Sequence, residues 1–150
     1  MDFLGKISSN VDQLIILHKK NNWLPKMDEI RPCEQNIKDK EVYIKMMENK
    51  YGSIKNGIIC DVFNMDYNNI IPQKKFIKNK FRYKTCSNHY IMWYLSYNEN
   101  ELSDDVINMD IYCNIYQLLL HNKFDFAWYV NPKMSIPEIF HVQVFWINKI

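Results

Sequence analysis

The stretch Lys74-Lys75-Phe76-Ile77-Lys78-Asn79-Lys80-Phe81-Arg82-Tyr83-Lys84 sorts its charges when it is read as a β-strand. Successive side chains of a strand point to opposite faces. Lys78, Lys80, Arg82 and Lys84 then share one face with Phe76, while Ile77, Phe81 and Tyr83 share the other, with Asn79 among them. A basic face backed by an apolar one predicts a strand over 75–86. Its odd positions build a core and its even positions turn outward.

Downstream, Ser87-Asn88 forms the expected hairpin turn into Tyr90-Ile91-Met92-Trp93-Tyr94-Leu95. This run is apolar almost throughout, as suits a central strand covered on both faces. Upstream, Asn56-Gly57 signals a tight turn, and Ile58-Ile59-Cys60-Asp61-Val62-Phe63 reads as a buried strand. Before that, Ile37, Ile44, Met47 and Tyr51 recur at helical spacing and Gly52 suits the position just past a helix end, predicting a helix over 34–51. Ser8, Ser9 and Asn10 offer an N-cap to a first helix near 10–22, closed by Trp23-Leu24-Pro25.

On the other side, Ser103 is a good N-cap, and Asp104 and Asp105 complement the positive end of a helix dipole, predicting a helix over 104–121. Ile107, Ile111, Ile115 and Leu118 form one apolar stripe; Met109, Cys113, Tyr116 and Leu120 form another. A helix apolar all round is buried or lies in an interface. Phe124 to Val130 reads as a strand. The last strand alternates, with Phe140, Val142, Val144 and Trp146 on one face and His141, Gln143 and Phe145 on the other. Because it closes the chain, it is expected at a sheet edge.

This order predicts an α+β fold: an antiparallel sheet of about four to six strands packed against two or three helices, at approximately 10–22, 34–51 and 104–121. With 150 residues, 47% hydrophobic, and neither repeat nor linker, the chain is expected to form one globular domain over 1–150. The bias toward Lys, Asn, Ile and Tyr, with Ala127 as the one alanine, is that of AT-rich coding DNA. No apolar run approaches the ~18 residues that span a bilayer, and the first ten residues lack the pattern of a signal peptide. Four cysteines, Cys33, Cys60, Cys86 and Cys113, are spread along the chain without a CxxC pair. A cytoplasmic protein with free thiols and no membrane contact is the expectation.

Few chemistries fit. Three glycines leave little with which to build a phosphate-binding loop. HExxH and related metal patterns are absent, as is GxSxG, so neither cofactor nor metal is expected. His18 and His121 are explained by their places at helix ends. His141 beside Gln143 would serve as a general acid or base if their strand face were a cleft. Cys86 with His89 is the one close thiol–imidazole pair. Asp61 is odd within an apolar run, since a buried carboxylate needs a partner, which a Lys or Arg of the basic strand could supply.

With a net charge of only +2, electrostatics must act through local clustering. The reading is therefore a non-enzymatic binding protein of the immunity-protein or antagonist type. It would neutralise or sequester an acidic protein partner, a toxin or a host factor, through Lys78, Lys80, Arg82, Lys84 and Phe76. Single-stranded nucleic acid on the same strand is the alternative, with phosphates on the cations and a base on Phe76. A small enzyme with an unfamiliar site is a further one. A plain solvated face, neutralised by Glu99, Glu101, Asp104 and Asp105, would need no partner.

Overall fold

The computed structural model describes residues 34–83, 88–130 and 136–149. The helix expected near 10–22, the turn residue Ser87, and the candidates Lys84 and Cys86 lie outside them. The described elements are helices α1 (Glu34–Tyr51) and α2 (Ile54–Asp61), strands β1 (Gln73–Lys78) and β2 (Asn88–Leu95), a 3₁₀ turn (Glu99–Glu101), helix α3 (Asp104–Leu119), and strands β3 (Phe124–Tyr129) and β4 (Phe140–Asn148). The strands form one sheet in the order β1-β2-β4-β3, every neighbouring pair antiparallel. The fold is α+β.

Helices cover both faces of the sheet. On one, Met92 and Tyr94 of β2, Val142, Val144 and Trp146 of β4, and Phe126 and Trp128 of β3 pack against Ile107, Ile111 and Ile115 of α3. On the other, Ile91, Trp93 and Leu95 of β2 meet Ile58 and Ile59 of α2 and Val62 just past its end, with Tyr43 of α1 beside them. The unbroken apolarity of β2 follows, because consecutive residues enter opposite cores.

α3 begins where its sequence says. Ser103 Oγ accepts the Val106 N–H at 3.2 Å, and Asp104 and Asp105 occupy the first turn. Its Ile107, Ile111 and Ile115 stripe is buried. Inside this layer Asn108 Oδ1 accepts the Trp128 indole N–H at 2.6 Å, pinning α3 to β3. The second stripe, Met109, Cys113, Tyr116 and Leu120, is exposed, and so is Leu118 of the first. The helix stops at Leu119 because Leu120 turns left-handed, with φ 59°.

Three expectations are corrected. Residues 58–63 are not a strand; Ile54–Asp61 is a helix, capped where Ser53 Oγ accepts the Asn56 N–H at 3.1 Å. The β-branched residues tolerate this because Ile58, Ile59, Val62 and Phe63 all bury against the sheet, and tertiary burial outweighs a weak intrinsic preference. Gly57 marks no turn. A Cβ there would run into the Cβ of Met47 at 2.9 Å and into its sulfur, so glycine permits α1 and α2 to cross closely. And β4 is not an edge: it lies between β2 and β3, and its residues from His141 to Trp146 are all buried.

Candidate functional site

The polar residues of β4 have to be accommodated under α1 and α2, and doing so creates the site. Register places Trp93 opposite His141, Ile91 opposite Gln143 and His89 opposite Phe145. The rings pair accordingly: Trp93 lies 4.4 Å from His141, and His89 stacks on Phe145 at 4.4 Å. His89, His141 and Gln143 are all buried.

The basic stretch does not run on as a strand. β1 ends at Lys78, and Asn79 Oδ1 accepts the Phe81 N–H at 2.8 Å, an Asx turn that breaks the alternation. The resulting loop, 79–83, is tied down at several points. The Asn79 N–H donates to the His89 carbonyl at 2.9 Å. The Tyr83 N–H donates to His89 Nδ1 at 3.0 Å, and Asn36 Nδ2 of α1 donates to the Arg82 carbonyl at 3.0 Å. Gln143 Oε1 accepts from His89 Nε2 at 2.6 Å and from Asn79 Nδ2 at 3.1 Å. Since Nδ1 of His89 accepts, its proton is assigned to Nε2. Burial, reinforced by the charges of Arg82 and Lys40, pushes this imidazole down to about 3, against the opposing effect of Gln143. His89 is thus a neutral pin holding the loop to the sheet.

The expected basic face is dispersed. By register Lys78 shares the α3 side of β1 with Phe76, and Phe76 stacks on Tyr90 at 4.7 Å instead of standing free. Lys80 reaches to the opposite side, where its ammonium donates to Asp61 Oδ2 at 2.8 Å and sits over the Tyr43 ring at 4.6 Å. Arg82 is exposed on the loop. The carboxylates on lysines of this stretch are Asp61 for Lys80 and Asp110 for Lys74, the latter at 3.0 Å. Asp61 itself is not buried; it ends α2 and also accepts the Tyr43 hydroxyl at 2.6 Å. Partial burial works against its charge, but the hydrogen bonds from Lys80 and Tyr43 outweigh this and hold its pKa below the usual carboxylate value. Tyr43 is raised by burial and by its bond to Asp61.

Between α1, α2, the loop and the sheet lies a cavity of about 80 Å³, lined by Lys40, Tyr43, Ile58, Trp93, His141 and Gln143 among others. The strand face carrying His141 and Gln143 is therefore a cleft. His141 Nδ1 lies 2.8 Å from the Ile139 carbonyl, so it carries the proton and leaves Nε2 as an acceptor. Burial lowers its pKa. Among the described residues no three His, Cys, Asp or Glu side chains come together as a metal would require. Sequence reasoning missed Tyr43, Asn79, Trp93 and Lys40. Only Asn79 carried a signal, as a polar residue at an apolar position of the strand pattern.

Comparison with protein-family models, with curated proteins and with solved structures gave no match.

Proposed function

We propose that the protein is a non-catalytic binding protein of the antagonist type, acting in the cytosol, which recognises an acidic protein partner through the loop 79–83 and the adjoining end of β1. The observation that carries this reading is a basic loop tied down along its backbone, with two exposed cations, Lys78 at its entry and Arg82 within it, that have no ion pair among the described residues. The loop backbone is fixed by His89, Asn36 and its own Asx turn. Preorganisation removes ordering entropy from binding, and unpaired cations at a rim supply steering and selectivity. The free thiols of Cys60 and Cys113 suit a reducing compartment.

Nucleic acid is less well supported by this arrangement. Stacking needs an aromatic face open to a base, and Phe76 is occupied by Tyr90.

The test is a double charge reversal, Lys78→Glu with Arg82→Glu, which leaves the Asp61–Lys80 contact in place. Partners of the wild type are recovered by affinity capture, identified, purified and titrated against both forms at low and high salt. The reading expects affinity to fall at least ~10-fold in the variant, and the wild-type affinity to weaken with salt while the variant's changes little. Equal affinity of the two forms at both salt concentrations refutes it, and so does a partner whose binding is carried by RNA.

A further inference from the structure

We infer that the cavity between α1, α2 and the β2–β4 face is a binding site for a compact organic carboxylate, its charge held by Lys40 and the Trp93 indole N–H and its short apolar end lodged against Ile58, Val62, Ile77 and Ile91. This goes beyond the recognition reading: the loop shares the lining through Asn79, Lys80, Phe81 and Tyr83, but the anion is held by Lys40 and Trp93, which that reading does not use.

Three features of the lining point to an anion. Trp93 is 4% exposed and its indole N–H has no hydrogen-bond partner. A buried donor left unmade is costly, and such a group in a native fold calls for an acceptor. Trp93 lines the cavity, unlike Trp146, whose N–H is also unpartnered but which lies in the apolar layer beneath α3. Trp128, the remaining described indole, shows what satisfaction looks like, with Asn108 Oδ1 at 2.6 Å.

Lys40 is the second feature. It is half-buried against the cavity, forms no ion pair among the described residues, and burial lowers its pKa. A desolvated ammonium without a counter-ion is stabilised by an arriving carboxylate. Gln143 is the third. Both bonds to its carbonyl oxygen are made inside the fold, by His89 and Asn79, which leaves its amide N–H groups as further donors on the cavity wall.

The apolar part of the lining, Ile58, Val62, Ile77, Ile91 and Ile136, receives the body of the ligand, beside the polar Asn79, Lys80 and His141. At about 80 Å³ the space is roughly half that of an engineered cavity of about 150 Å³ that holds benzene. That admits a carboxylate of two or three carbons and nothing as bulky as an aromatic ring. Acetate is the probe, and acetamide, of the same shape without the charge, is its control.

The experiment labels the tryptophan indoles with ¹⁵N, identifies the Trp93 signal by its loss in Trp93→Phe, and titrates with each probe. Acetate is expected to move the Trp93 signal saturably, in the ~millimolar range that suits so small a ligand, and acetamide to bind at least ~10-fold more weakly. Lys40→Gln is expected to lose at least ~10-fold in acetate affinity while the other indole signals stay in place, which shows that the fold is intact. No saturable movement of the Trp93 signal up to ~30 mM acetate, equal binding of acetamide, or unchanged affinity in Lys40→Gln each overturns the inference.

Discussion

Protonating His89 should loosen the fold, and the size of the effect follows from its two bonds. Nδ1 accepts the Tyr83 N–H and Nε2 donates to Gln143. An imidazolium would direct a second N–H at Tyr83, replacing a bond with a clash of donors. The folded-state pKa of about 3 lies below the ordinary His value of 6.5. The folded protein therefore binds fewer protons than the unfolded chain. The stabilisation is fully present above pH ~6.5 and is lost as pH falls toward ~3, at about 1.4 kcal/mol per pH unit. Between pH ~7.5 and ~5 the loss is about 2 kcal/mol. Other groups also titrate there, His141 with the same sign, so the assay is a double difference. Urea unfolding is measured at both pH values for wild type and for His89→Asn, whose amide oxygen can still accept from Tyr83 without titrating. The variant should be less stable at pH ~7.5, since it loses the stacking on Phe145 and the bond to Gln143, but it should lose about 2 kcal/mol less than wild type on going to pH ~5. Parallel pH dependences, differing by less than ~0.5 kcal/mol, would refute the reasoning.

Two further substitutions test the fold. Gly57→Ala should destabilise by about 1–2 kcal/mol in urea unfolding, because overpacking against Met47 exceeds the gain in helix propensity; a neutral or stabilised variant would mean that α1 and α2 do not cross there. Leu120→Gly should raise stability by about 0.5–1 kcal/mol, visible as a higher Tm, since Leu120 is 79% exposed and sits at φ 59° where glycine carries no penalty; a loss of stability would show a hidden contact of that side chain.

Much of the frame was legible from residues close together in the chain. Ser103, Asp104 and the Ile107, Ile111, Ile115 stripe announce α3 because capping and helical burial are local signals. The apolar run of β2 and the alternation in β4 likewise report which faces are covered. What failed had two causes. Ile58 to Phe63 carries strand-forming residues, and only Ser53 as cap and Gly57 as a contact point betray a helix, the second visible only once Met47 is opposite. The basic stretch alternates well enough to be a strand, but one side-chain-to-backbone bond from Asn79 ends it. The cavity was barely legible, since it depends on residues far apart in the chain: His89 and Gln143 are 54 positions apart, and Lys40 and Trp93 line one cavity only because α1 lies over the sheet. For His141 and Gln143 the sequence posed only a condition, that their strand face be a cleft, and the cavity meets that condition.

The functional reading rests on a basic loop that is held rigid while lying at the surface, and the backbone amide of Tyr83 reports that directly. Its ¹⁵N order parameter and hydrogen-exchange rate at neutral pH are the measurements. If His89 pins the loop, the order parameter is near ~0.85, as in rigid backbone, and exchange is slowed far below the unfolded rate. An order parameter under ~0.6 with exchange at the unfolded rate would show a loop that is free, and the preorganised recognition surface would fall with it.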